Sequence, residues 1–193
     1  MLAAAPRCTH HSLINRQGSN RSHHRNTDLE IDMTTAQKKS VSTEKAPKAQ
    51  EATALLKADH KAVDALFEQY ESARSATKKK ALVAQICTEL TVHAQIEEEI
   101  FYPQVKEALK DKELIPEATV EHATLKELIA QLEAAEPDDE MYDAKVKVLS
   151  EYVKHHVKEE QNEIFPKAKA SKLDMHALGE QLQQRKDELL TQK

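Results

Sequence analysis

Two glycines and no tryptophan in 193 residues leave little material for tight reversing turns, which excludes an all-β fold built on hairpins. Cysteine is equally scarce. Cys8 and Cys87 stand far apart, one in a polar tail and one inside a helical pattern, so a disulfide framework is excluded and a reducing, cytoplasmic setting is expected. No apolar run is long enough to span a membrane. A surplus of cationic charge is missing too: the formal net charge is −5, with no basic stripe of the kind that neutralises phosphates, so nucleic acid is not an expected partner.

What is abundant is Ala, Leu, Glu and Lys, the composition of an all-α protein. Residues 1–50 lack apolar periodicity and are expected to form a disordered tail. Residues 1–32 carry Arg7, Arg16, Arg21 and Arg25 with no acid before Asp28, as in a weak transit-like segment. An over-extended start, with Met33 as the true first residue, accounts for them better. The paired histidines His10, His11, His23 and His24 fall in this tail and are read as unrelated to any site.

From Glu51 the pattern turns helical. Leu56, His60, Val63, Phe67 and Tyr70 share a stripe in a first helix at about 51–74. A second, at about 77–109, aligns Leu82, Ile86, Leu90, His93, Glu97, Ile100 and Phe101, and Pro103 predicts a kink or break in its last turns. Pro116 suits the first turn of a third helix, reaching about 135 with His122, Leu125, Ile129 and Leu132 aligned. A fourth, at about 139–170, aligns Val146, Leu149, Val153, His156, Glu160 and Ile164. The expected architecture is an up-down-up-down four-helix bundle over 51–170, with a C-terminal helical extension at 171–193 that packs across the bundle or extends into solvent.

Each stripe contains a histidine, and the second and fourth add a glutamate one turn later. Buried ionisable groups cost roughly several kcal/mol each when unpaired, so six of them need one explanation. An internal repeat provides it. His93 with Glu97 and Pro103 recurs as His156 with Glu160 and Pro166, and each copy is preceded by an acid and a histidine, Asp59-His60 and Glu121-His122. On a helix, residues four apart lie one above the other, so each copy aims an imidazole and a carboxylate at one point. Four imidazoles and two carboxylates on a bundle axis suit a pair of divalent metals, with iron or manganese fitting mixed N and O ligation more distinctively than zinc. Asp59 and Glu121 are candidates for orienting ligand imidazoles. His155 and Glu159 repeat the four-residue spacing off the stripe and are read as surface or supporting residues. Glu98, Glu99 and Glu163 read as a solvated acidic face, with the option that one of them orients an imidazole.

These residues, His60, His93-x-x-x-Glu97-Glu98-Glu99-Ile100-Phe101-Tyr102-Pro103, His122 and His155-His156-x-x-Glu159-Glu160 with Ile164-Phe165-Pro166, resemble the hemerythrin-like, or HHE cation-binding, domain family. The resemblance implies a bundle holding a non-haem di-iron centre. His60 and His93 would serve one iron, His122 and His156 the other, and Glu97 and Glu160 would bridge. Oxygen-carrying hemerythrins have a histidine where this chain has Lys126, and an aspartate five residues after the fourth-helix histidine where this chain has Glu160 at four. The implied role is therefore binding, sensing or buffering of oxygen, nitric oxide, peroxide or iron rather than oxygen carriage. The alternatives are a di-iron enzyme acting on peroxide or nitric oxide or delivering iron for cluster repair, and a metal-free helical interaction module. No additional acid or nucleophile stands out in the stripe, so binding is favoured over catalysis.

Overall fold

Helix α1 (Ala52–Ser72) begins where the Glu51 carboxylate accepts from the Thr53 N–H, and α2 (Ala76–Ile96) where the Ser75 hydroxyl accepts from Lys78. The computed structural model describes residues 50–110 and 112–192; the expected tail lies almost wholly outside the described residues. A widened turn of π-helix, Glu97–Phe101, joins α2 to α3 (Tyr102–Leu109) without a break. Then come α4 (Leu114–Glu133), α5 (Tyr142–Glu159), a second π turn (Glu160–Ile164), α6 (Phe165–Ala170) and α7 (Met175–Thr191). The fourth helix starts at Tyr142, because Glu136 to Met141 form a turn in which the Asp139 carboxylate takes the Glu136 N–H.

The predicted kink at Pro103 takes a different form. Proline lacks an N–H and its ring crowds the carbonyl four residues back. The helix answers by widening ahead of the proline, so that the Tyr102 N–H reaches the Glu97 carbonyl, and it does the same where Phe165 reaches Glu160. Both π turns start on a glutamate of the stripe. With so little glycine, α3 ends on Lys110 in the left-handed region, φ 53°.

Two apolar cores fill the bundle. One holds Val63, Phe67, Ile86, Leu90, Leu125, Ile129, Leu149 and Val153. The other holds Leu56, Ile96, Phe101, Val105, Ile115, Ile164, Phe165 and Leu182. Helix α1 runs from the second core to the first, α2 back, α4 forward and α5 back, which is the up-down-up-down order. Every described stripe residue is buried except Ile100, which is half-buried. The C-terminal extension packs on the bundle: α7 lies against α1 and α2, with Leu178 and Leu182 buried in the second core. Gly179 permits this approach, since a Cβ there would stand 2.0 Å from the Gln50 carbonyl oxygen.

Candidate metal centre

Between the two cores lies a layer of buried polar side chains, and it contains all six residues of the stripe. His60 on α1, His93 on α2, His122 on α4 and His156 on α5 are buried, as are Glu97 and Glu160 at the heads of the two π turns. Their Nε2 atoms converge: His60 and His93 at 2.8 Å, His122 and His156 at 3.0 Å. Glu97 Oε2 stands 3.2 Å from His93 and 3.5 Å from His122, so one carboxylate oxygen reaches both pairs. Glu160 Oε2 is 3.1 Å from His60 and 3.7 Å from His156.

The outward-facing nitrogens are held from behind. Glu121 meets His156 Nδ1 at 2.7 Å, Glu98 meets His122 Nδ1 at 3.0 Å, and Asp59 faces His93 Nδ1 at 3.5 Å. A carboxylate behind a ring fixes the Nδ1–H tautomer and leaves the Nε2 lone pair pointing inward, as a metal requires. Behind His60 stands an amide instead, with Gln161 Nε2 at 3.2 Å. The supporting roles expected of Asp59 and Glu121 are thus crossed: each sits beside one histidine of the stripe and backs the histidine of the next helix. Glu98 does not belong to a solvated face; it is partly buried between His122 and Lys126. Glu99 pairs with Arg185 of α7, Glu163 pairs with Lys167, and exposed His155 lies 3.3 Å from both Glu121 and Glu159.

Burial depresses the His93 pKa, but Glu97, Asp59 and Glu160 together outweigh it and raise it to about 10. Burial and the neighbouring His156 push His122 down to about 4. Glu97 is raised by burial and then by the charge of Glu160. Burial acts the same way on Glu160, yet His60, His156 and His93 hold it below the usual carboxylate range.

The donor set fits metal ions. Among the described residues, both oxygens of Glu97, one of Glu160, Asp59 Oδ2 and His93 Nδ1 are buried without a hydrogen bond, in a layer bounded by apolar cores. Burying a carboxylate so costs several kcal/mol, a penalty that cations would remove. Two groups of potential ligands result: His60, His93, Glu97 and Glu160, and Glu97, His122 and His156, with Glu97 common to both.

Three contributors were missed in the sequence. Tyr102 donates its hydroxyl to Glu160 Oε1 at 2.8 Å and lies 3.3 Å from His122 Nε2, and burial keeps the phenol well above its ordinary pKa. Its counterpart in the repeat is Phe165, stacked 5.9 Å from the His60 ring, so comparing the two copies would have singled it out. Gln161 likewise stands where the first copy has Glu98. Lys186 of α7 pairs with Asp59 at 2.5 Å, a contact between residues 127 positions apart that no local pattern announces. On the side of the first core, a cavity of about 20 Å³ touches all four histidines and Asp59 and is otherwise walled mainly by Val63, Leu90, Leu125, Ile129 and Val153. Lys126 lends its stem to that wall and turns its ammonium to Glu98.

Comparison with known proteins identifies the family and a likeness of fold. Residues 51–168 match the model of the hemerythrin HHE cation binding domain. A DNA nickase of Nostoc sp. (strain PCC 7120) is 29% identical over 111 residues, 58% of this chain and 31% of that protein, so the chain spans about a third of that relative's length. The crystal structure of a hemerythrin HHE cation binding domain-containing protein from Mycobacterium kansasii superposes with a TM-score of 0.64 at 22% identity, over 74% of this chain and 89% of that one, which is a likeness of fold. Among the described residues, no helix is long and apolar enough to cross a membrane. With the family model running from the start of α1 into α6, the chain belongs to the hemerythrin HHE cation binding domain family.

Proposed function

We propose that His60, His93, Glu97, His122, His156 and Glu160 hold a non-haem di-iron centre with which the protein binds a small neutral ligand, oxygen or nitric oxide. The observation that carries this reading is one shared carboxylate, Glu97, between two histidine pairs, beside a small cavity lined by all four histidines. Iron there supplies affinity for a diatomic and the ability to exchange electrons with it. The chain's own residues do the rest. Glu98 and Glu121 hold two imidazoles in the ligating tautomer, and Asp59 faces a third at 3.5 Å. About 20 Å³ has room for one very small molecule but for no organic substrate. Ferrous protein prepared anaerobically should change its visible spectrum on titration with nitric oxide or oxygen, and the double variant His93→Ala, Glu97→Ala should not. An unchanged spectrum in the loaded wild type defeats the reading.

A second reading, turnover of peroxide, is favoured by one observation. The Tyr102 phenol stays protonated, points into the site and hydrogen-bonds Glu160, so it can hold a proton next to the His122 and His156 pair. Tyr102→Phe should then keep the metal and lose turnover. DNA nicking is not proposed, because the formal net charge is −5 and the match covers 31% of the nickase.

A further inference from the structure

The two halves of the site are related by the internal repeat, and they differ in what stands behind one histidine. His122 and His156 each have a carboxylate hydrogen-bonded at Nδ1 and His93 faces the Asp59 carboxylate at 3.5 Å, whereas His60 has the amide of Gln161. A carboxylate only accepts, so it enforces Nδ1–H and keeps the Nε2 lone pair on the metal side. An amide presents a donor at one end and an acceptor at the other, so Gln161 serves either tautomer of His60, including the one whose Nε2 carries the proton and cannot ligate. The same histidine forms part of a groove of about 670 Å³ between α1 and α5. These two helices are the most sparsely packed pair of neighbours in the four-helix ring.

The groove is basic. Lys57 and Lys61 line it from α1, Lys154 and Lys158 from α5, and Asp64 is the single acid on its wall. Elsewhere on the bundle, Lys79, Lys126, Lys169 and Lys186 are matched to carboxylates, while Lys78, Lys106, Lys145 and Lys172 stand singly on the surface rather than around one cleft. Among the described residues, none of the four groove lysines makes an ion pair. Uncompensated cations converging on a cleft attract anions of complementary size, and this cleft has the volume of a small-molecule site.

We infer that the His60 half is the labile half of the centre, and that its metal enters and leaves through the α1–α5 groove carried by an anionic carboxylate chelator docked on Lys57, Lys61, Lys154 and Lys158. The Gln161 amide lets His60 detach, while the lysines bring an anionic carrier to the point where it detaches. Iron in a polycarboxylate complex has the required charge, and the groove has room for it. The inference rests on the di-metal reading above.

The test is metal release from the fully loaded protein, followed with citrate as the anionic chelator and 2,2′-bipyridyl as the neutral one. Release is expected in two phases of equal amplitude. Restoring the carboxylate with Gln161→Glu should slow the fast phase about tenfold or more and leave the slow one, since such supporting groups are worth about 10- to 100-fold in metal affinity. Gln161→Ala, which removes the support altogether, should accelerate it, so that a failure of either variant to fold leaves the other as the test. Reversing charge with Lys61→Glu, Lys154→Glu and Lys158→Glu together should slow extraction by citrate and leave extraction by bipyridyl unchanged. Single-phase release, a fast phase indifferent to residue 161, or equal slowing with both chelators overturns the inference. A chain that takes up fewer than two metals defeats the di-metal reading instead, before release is measured.

Discussion

Removing the carboxylates behind the histidines should weaken metal binding in an order set by their distances. Glu121 stands 2.7 Å from His156 Nδ1, Glu98 3.0 Å from His122 Nδ1, and Asp59 3.5 Å from His93 Nδ1, the edge of hydrogen-bond range. Loss of such a partner frees the ring to rotate or change tautomer and typically costs about 10- to 100-fold in affinity, or about 1.4 to 2.7 kcal/mol. Glu121→Ala should therefore lie at the upper end of that range, Glu98→Ala between, and Asp59→Ala at the lower end. The Asp59 effect is softened further because Lys186 shares its charge. The assay is competition for ferrous iron against a chromogenic chelator under anaerobic conditions, with circular dichroism to verify that each variant is folded. Three variants within twofold of wild type, or a reversed order with Asp59→Ala the weakest binder, would refute the reasoning.

Metal uptake should release protons. His93 carries its proton up to a pKa of about 10 in the metal-free protein, so at pH 8 an incoming cation must displace it, and affinity should rise with pH toward that value. A pH-stat titration with ferrous iron measures this directly, and loading without proton release contradicts it. Gly179→Ala should push α7 away from the start of α1, since the new methyl would meet the Gln50 carbonyl. Overpacking of this kind costs about 1 to 3 kcal/mol, which lowers the melting temperature of a domain this size by roughly 3 to 10 °C. An unchanged melt would show that α7 adjusts freely.

The bundle and the six inward polar residues were legible because both depend on local periodicity. A histidine and glutamate four apart on an apolar stripe must share a buried face whatever the rest of the chain does. The crossed support of Asp59 and Glu121 was half legible: their place beside a stripe histidine marked them, while the partner each one backs depends on how neighbouring helices pack. Pro103 announced a disturbance without telling its form, and Pro166 marked the same position in the repeat. The π turn lies before the proline, and it is a backbone response that side-chain spacing does not encode. Gln161 and Tyr102 lie within the repeat, and only their departures from the other copy, Glu98 and Phe165, distinguish them. Lys186 was beyond reach because its partner is brought to it by the docking of α7, whose own stripe is weak and whose close approach depends on Gly179.

The layer also has an energetic meaning. Two apolar cores would merge favourably if the six polar groups between them were apolar, so these residues cost folding free energy that a bound cation returns. A chain keeping such a layer for structure alone would satisfy its carboxylates with hydrogen bonds, and Glu97, 0% exposed, has none and meets only the His93 and His122 imidazoles at 3.2 and 3.5 Å.

That makes Glu97 the most direct test. Elemental analysis of anaerobically reconstituted protein should find two metals per chain in the wild type, while Glu97→Ala, which removes the carboxylate common to both ligand groups, should retain fewer than one. One metal or none in the wild type, or an unaltered count in the variant, would contradict a shared two-metal centre.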